Sequence, residues 1–380
     1  MGVLISVATG AARAIYAVFK GVLPQRHKVV FLSRQSDEPS RDFVALEQAL
    51  RTADPTLEIV MRCRMVGHSW GSRVVAAFAT VGQMYHLATA RACVVDGYVI
   101  PVSILDHRAG TFVVQIWHAL GAIKKFGYQT IGAPGGHSRE IASAMRMHRN
   151  YDVVVCAGPG TVPFFAEAFG VDPAIVAPVG TPRVDALREG ARARLAGEET
   201  ERSAELKREV PVLAQSGRTV VLYAPTFRSH GGDRYRDVAA CFSDPRYTLI
   251  IKPHPLDNVG VGGENLVDAG GIDAVDLIPL CDAVITDYSA VAFEAVVAHV
   301  PVYFFVYDID EYRRDQGLNI DPLVELPEVS SLDIVALKDL IDGGESGQAV
   351  MARLEARYAS APEGCAARIA GMVIEAIRKS

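Results

Sequence analysis

Residues 276–307 read DLIPLCDAVITDYSAVAFEAVVAHVPVYFFVY, and this pattern most restricts how the chain can fold. Ala283-Val-Ile285 is an apolar run too short for a helix and predicts a buried strand ending near Thr286. Asp287, Tyr288 and Ser289 follow at its carboxyl end. Ser289 is placed to cap a helix running from Ala290 to about His299. Pro301 stops that helix, and Val302 to Val306 predict the next strand. Strand, tight turn, helix, strand is the repeating unit of a parallel sheet. A helix starting at the carboxyl end of such a strand presents unpaired backbone N–H groups and a partial positive charge, where a phosphate can sit.

The same alternation runs along the chain. Strands are predicted at Lys28–Ser33, Leu57–Arg62, Ala92–Ile100, Thr111–Ile116, Asp152–Cys156 and Ile175–Val179. Helices are predicted over Asp42–Leu50 and Ser72–Thr80, with another ending in Met145–Asn150. From Leu187 to Arg218, Arg, Glu and Ala dominate without a long apolar run, which reads as a solvated helix and linker. A second series follows: Thr219–Tyr223, Tyr247–Ile251, a short strand near Val275, and the two strands of the opening stretch. At 380 residues the chain has room for two domains. The expected organisation is an amphipathic membrane-surface helix (1–27), an α/β domain (28–190), a linker or helix (191–217), a second α/β domain (218–346) and a C-terminal helix (347–380).

A net charge of −6 without an extended basic stripe argues against a general nucleic-acid binder. The six cysteines are scattered with no C-x-x-C pair, so neither a zinc knuckle nor a disulfide framework is expected. No carboxylate cluster demands a metal, no G-x-G-x-x-G follows the first strand, and no cofactor is expected. The first 23 residues are apolar, but Arg13 and Lys20 interrupt them, which argues against a spanning helix. Ser6, Thr9, Gly10, Arg13 and Lys20 share one helical stripe, with Leu4, Val7, Ile15, Val18, Phe19 and Val22 around it. This is the pattern of a helix lying on an anionic membrane surface; the alternative is a helix packed on the body of the protein.

Several short patterns carry chemistry. Gly67-His-Ser69-Trp-Gly71 matches a nucleophile elbow, but it comes early in the chain. No HGGG-type loop precedes it, and no Asp then His falls on late strand ends. Gln115-Ile-Trp-His118-Ala-Leu-Gly121, with Lys124 and Lys125, puts a candidate general base just beyond a strand, a glycine that permits close approach, and positive charge for an anionic substrate. Tyr223-Ala-Pro-Thr226-Phe-Arg228 offers a hydroxyl and a bidentate guanidinium. Lys252-Pro-His254-Pro presents a lysine and a histidine on a loop stiffened by proline. With Asp287 and Ser289, these residues on the strand ends of one sheet describe a pocket for a diphosphate.

In this order, WHALGAIKKFGY, APTFR, IKPHP and LCDAVITDYSAVAFEAVVAHVPVYFFVYDIDEYRRDQG resemble the CDP-glycerol glycerophosphotransferases, which include teichoic acid polymerases and primases. The resemblance covers roughly Lys28 to Asp321, and Gly180-Thr-Pro-Arg183-x-Asp185 is similar to the family's G-x-P-R-x-D turn. It implies a GT-B architecture: two Rossmann-like parallel-sheet domains facing a central cleft. It implies transfer of glycerol phosphate, or a related polyol phosphate, from CDP-glycerol to an acceptor hydroxyl of a teichoic acid or similar polymer, with release of CMP. A lipid-linked glycan or polyol-phosphate acceptor, at the cytoplasmic face of the membrane, follows from the same resemblance. The family's two motif histidines fall on His118, as general base, and His254, on the diphosphate or the leaving group. Arg228, Lys252 and the helix terminus at Ser289 would stabilise phosphate charge. Asp287 would hold the turn or a ribose hydroxyl, and Gly121, Lys124, Thr226, Ala290 and Glu294 complete the expected substrate contacts. Three positions depart from the pattern: Ala119 stands where the family usually has Gly, Ala290 where it has Ser, and Glu294 where it has Asp. The rival readings are a GT-B glycosyltransferase using a sugar nucleotide, a nucleotide-binding protein without turnover at the membrane, and a serine hydrolase.

Overall fold

The computed structural model describes residues 2–65, 70–134, 136, 138–226, 228, 234–253 and 263–379. The chain divides into two compact units: residues 1–118, 126–183 and 361–380 form one, and residues 119–125 and 184–360 form the other.

The first unit is built on β1 (Lys28–Ser33), β2 (Glu58–Cys63), β3 (Ala92–Val95), β4 (Phe112–Gln115), β5 (Val153–Val155) and β6 (Val176–Ala177). They form a six-stranded sheet in the order β2-β1-β3-β4-β5-β6, with every pair parallel. Runs such as Val29-Val-Phe-Leu32 and Cys93-Val-Val95 are apolar throughout because helices cover both faces of a parallel sheet. Phe43, Leu46 and Leu50 of helix Arg41–Ala53 pack on Val29, Phe31, Val94 and Val114. The final helix, Cys365–Lys379, inserts Ile369, Val373, Ile374 and Ile377 into the same core. Ser40 caps the first of these helices by accepting from Phe43 N. In its first turn the buried Asp42 accepts from the backbone N (2.7 Å) and Nε (2.8 Å) of Arg183, which anchors the G-T-P-R turn.

The second unit holds β7 (Thr219–Tyr223), β8 (Tyr247–Ile251), β9 (Leu266–Asp268), β10 (Ala283–Thr286), β11 (Val302–Phe305) and β12 (Ser330–Ser331). These form a second six-stranded parallel sheet in the order β12-β11-β10-β7-β8-β9. The expected α/β class, with two parallel-sheet domains, is therefore what the chain forms.

Several boundaries differ from expectation. β3 stops at Val95, not Ile100, because the chain turns at Asp96-Gly97 and Pro101 opens a short helix, Ile100–Ile104. The strand expected near Val275 is a helical turn, Ala274–Leu277, capped by Asp273; the strand is β9, further upstream. A run of four residues, three of them apolar, is too short for periodicity to separate the two. The stretch read as a solvated helix and linker holds two helices, Arg183–Ala196 and Glu201–Glu209, which bury Leu187, Ala191 and Leu206 and lie almost wholly in the second unit. The C-terminal helix is two helices: Glu345–Tyr358 in the second unit and Cys365–Lys379 in the first, parted around Pro362 and Gly364.

The N-terminal helix, Gly2–Val22, packs its basic residues on the rest of the first unit and turns an apolar stripe outward. Arg13 Nε donates to Ile104 O (3.0 Å) and Lys20 Nζ to Asp106 O (2.5 Å), while the buried Tyr16 meets His107 Nδ1 at 3.1 Å. The basic groups are drawn inward by carbonyls at and just past the end of the Ile100–Ile104 helix, which lack intrahelical partners. Val7, Ile15, Val18 and Val22, spaced along one stripe, are 41–75% exposed, and Phe78 on the adjacent helix Trp70–Thr89 is 75% exposed. Among the described residues no helix is long and apolar enough to cross a membrane.

Candidate active site

In both sheets the strand order reverses direction once, and ligands of open α/β sheets bind at the carboxyl ends of the strands flanking that point. In the first sheet the reversal lies between β1 and β3, whose carboxyl ends carry Ser33 and Asp96. In the second it lies between β7 and β10, whose carboxyl ends lead into Thr226 and Asp287.

In the first unit, β4 delivers Gln115-Ile-Trp117-His118 to this edge. Trp117 adopts φ 55°, a left-handed conformation that is uncommon for a bulky side chain. Its ring stacks on Phe126 at 5.0 Å and meets Phe169 edge-on at 5.1 Å. The exposed His118 places Nδ1 3.0 Å from the backbone oxygen of Asp96. The Asp96 carbonyl only accepts, so this contact calls for the proton on Nδ1 and leaves the Nε2 lone pair for a base, whereas the Gln35 amide nitrogen only donates and calls for the opposite tautomer. The Gln35 amide lies 3.2 Å from the same Nδ1. The carboxyl of Asp96 is buried, and burial pushes its pKa up to about 6.

In the second unit, Asp287 is fully buried just past β10. Its Oδ1 accepts from Thr226 N (2.9 Å), Thr226 Oγ1 (2.7 Å) and Tyr288 N (2.5 Å), which fastens the end of β7 to that of β10. Arg228 donates to Asp287 Oδ2 at 2.8 Å, to Asp308 at 2.7 and 3.2 Å, and to Thr226 O at 2.5 Å. The rings of Tyr288, Tyr307 and Tyr312 surround its guanidinium at 5.0–5.6 Å. Burial opposes the Arg228 charge, but Asp287, Asp308 and Tyr307 outweigh it and raise the pKa. Arg228, expected to grip phosphate, is thus engaged by two carboxylates and frames the turn. Tyr288 stacks on Tyr312 at 3.8 Å and donates its hydroxyl to Asp308 Oδ1 at 3.0 Å.

Around this frame lie the other expected residues. Residues 119–125 belong to the second unit: Lys125 N donates to Gly317 O (3.0 Å) and Asn319 N to Ile123 O (2.7 Å), with a β-bridge joining Lys124 to Leu318. Gly121 is required there, since a Cβ would stand 2.6 Å from the Phe293 ring. Burial lowers the Lys124 pKa, the nearby Asp287 raises it and Arg228 lowers it further. No hydrogen bond or ion pair of its ammonium is present among the described residues. Lys252, at the end of β8, donates to Gly270 O (3.2 Å); burial lowers its pKa against the pull of Asp273, Asp268 and Glu294. The helix after β10 is shorter than expected, Val291–Val297. Ala290 takes the cap position, Ser289 Oγ accepts from Val291 N at 3.4 Å, and Glu294 is buried on the helix. His254 lies outside the described residues, as do Gly67, His68 and Ser69 of the elbow pattern. Among the described residues no three His, Cys, Asp or Glu side chains are gathered as a metal site.

Sequence reasoning missed Asp96, Asp308 and Tyr312. Asp308 stands just beyond β11, where the strand-end rule would have found it. Asp96 was hidden by carrying β3 on to Ile100.

The chain is similar to the "Teichoic acid ribitol-phosphate primase" of Bacillus spizizenii, 30% identical over 328 residues and 82% of each chain. It is also similar to the "Teichoic acid glycerol-phosphate primase" of the same organism, 26% identical over 62% of this chain and 61% of the relative. The solved structure of the wall teichoic acid polymerase TagF superposes with a TM-score of 0.75 at 18% identity, covering 100% of this chain and 97% of that one, which shows a shared fold. The family model described as CDP-Glycerol:Poly(glycerophosphate) glycerophosphotransferase matches residues 15–360, and the chain belongs to that family.

Proposed function

We propose that this enzyme transfers a polyol phosphate from a CDP-polyol to an acceptor hydroxyl of a teichoic acid or related polymer, releasing CMP. The observation that carries the reading is a family match over 15–360 together with a primase aligned over 82% of both chains. His118, with Nε2 unprotonated, takes the proton of the acceptor hydroxyl as that oxygen attacks the phosphorus bearing the polyol. The bond from phosphorus to the CMP oxygen breaks in line, and positive groups take up the charge on the phosphate oxygens. Lys124 and Lys252 supply that charge in the second unit, with His254 on the diphosphate or the departing CMP. Arg228 acts through Asp287, holding the β7 and β10 ends in place.

CDP-glycerol is the donor that the family description names. CDP-ribitol is the second reading, favoured by the ribitol-phosphate primase that matches over most of both chains. The acceptor is a lipid-linked glycan or polyol phosphate. The protein works as a peripheral protein at the cytoplasmic face of the membrane, with the outward stripe of Val7, Ile15, Val18 and Val22 buried among lipid. A donor panel of CDP-glycerol, CDP-ribitol and UDP-sugars, read as nucleotide release with a lipid-linked acceptor, tests the reading. Release from UDP-sugars alone would replace it with a glycosyltransferase.

A further inference from the structure

We propose that Gln115 is a positioning residue that sets both the place and the tautomer of His118, an inference that rests on His118 acting as the base. Gln115 is the last residue of β4, fully buried and neutral, and no step of the reaction requires it to meet substrate. Its side-chain amide works in two directions. Oε1 accepts from Trp117 N at 2.8 Å, and Nε2 donates to Gly97 O at 3.0 Å. The first bond satisfies an N–H that the left-handed turn at Trp117 takes out of the β ladder. The second ties the end of β4 to the turn after β3. The residue before Gly97 is Asp96, whose backbone oxygen lies 3.0 Å from His118 Nδ1 and can accept its proton.

One side chain thus fixes both ends of the short path that orients the imidazole. Gly97 is part of the device: a Cβ there would stand 2.7 Å from Gln35 Nε2, the amide that also borders His118. A left-handed non-glycine residue is strained and persists only where its surroundings fix it. Phe126, Phe169 and the Gln115 amide supply those surroundings for Trp117. Without Gln115, the turn can relax towards ordinary β geometry. The carbonyl of Asp96 then no longer selects the Nδ1–H form, and Nε2 becomes protonated in part of the population.

The test is Gln115→Met, which keeps the length and removes both hydrogen bonds, assayed beside His118→Ala and the double variant. Gln115→Met is expected to lower kcat for CMP release by tenfold or more, with KM for the donor within twofold. The double variant should be no slower than His118→Ala alone. Imidazole 15N spectra, with the His118 signal assigned by its loss in His118→Ala, should show the Nδ1–H form in the native protein and a mixture in Gln115→Met. If Gln115→Met does not yield folded protein, Gln115→Glu decides, since it keeps the acceptor for Trp117 N and loses the donor to Gly97. The same spectral change and loss of kcat are expected from it. A native His118 spectrum with native kcat in either folded variant overturns the proposal. Full CMP release by His118→Ala would instead overturn the base assignment, and the spectra would still judge the positioning.

Discussion

Removing the Arg228 guanidinium should cost stability rather than only substrate affinity. Its side chain is 11% exposed and the two carboxylates it joins are 1% (Asp287) and 15% (Asp308) exposed. Arg228→Met would leave both acids buried near one another with their common partner gone. Deleting one partner of a buried ion pair costs about 3–5 kcal/mol, because a charge stays desolvated without compensation. With a urea m-value of about 3 kcal/mol/M, the unfolding midpoint of the second unit should fall by about 1–1.7 M. Both tryptophans, Trp70 and Trp117, lie in the first unit, so far-UV circular dichroism is the suitable probe. Arg228→Lys retains the charge but cannot span two carboxylates and Thr226 O, so it should recover only part of the loss. Asp308→Asn leaves the Arg228–Asp287 contact and should cost about 1–2 kcal/mol. The reasoning is refuted if Arg228→Met unfolds within about 1 kcal/mol of the native protein while KM for the CDP-polyol rises tenfold or more. That result would make Arg228 a phosphate ligand and not part of the frame.

Three further outcomes follow from single residues. Gly127→Ala forces a side chain onto φ 57° and places its Cβ 2.2 Å from Ala168 O, so it should destabilise the first unit by about 2–4 kcal/mol in denaturant unfolding. Burial raises the Asp96 pKa from 3.8 to about 6, so the folded state binds its proton more tightly than the unfolded chain. Its stabilising contribution is full below pH 4 and is lost as pH rises to 6, a fall of about 3 kcal/mol that Asp96→Asn should remove from a stability–pH curve. Val18→Asp, at a position 61% exposed, should leave the melting temperature unchanged and abolish co-sedimentation with anionic phospholipid vesicles; unchanged co-sedimentation would defeat the membrane assignment.

The parallel α/β fold was legible because buried strands of such sheets are short continuous apolar runs, as at Val29–Leu32 and Ala283–Ile285. Their carboxyl ends then pointed to Thr226, Arg228 and Asp287 without further information, and the structure brings those three together. Roles were less legible than positions. Arg228 has the side chain of a phosphate ligand, and only the pairing with Asp308, 80 residues on in sequence, assigns it to the frame. How the N-terminal helix packs was not legible for a similar reason. Its basic residues are attracted by carbonyls around Ile104 and Asp106, a long-range contact that no local pattern contains. The helices of 183–209 carry few apolar residues, so their amphipathic faces were too narrow to be recognised as part of the second unit. The left-handed Trp117 that presents His118 leaves no mark in composition, because its stability comes from Phe126, Phe169 and Gln115.

The most direct measurement compares native protein and His118→Ala for CMP release from CDP-glycerol and CDP-ribitol, with and without a lipid-linked polyol-phosphate acceptor. The native enzyme should release CMP from at least one of the two in an acceptor-dependent manner, and His118→Ala should lose about 100-fold or more of that rate. Native-like CMP release by His118→Ala, or nucleotide release from UDP-sugars with none from either CDP-polyol, would contradict the account.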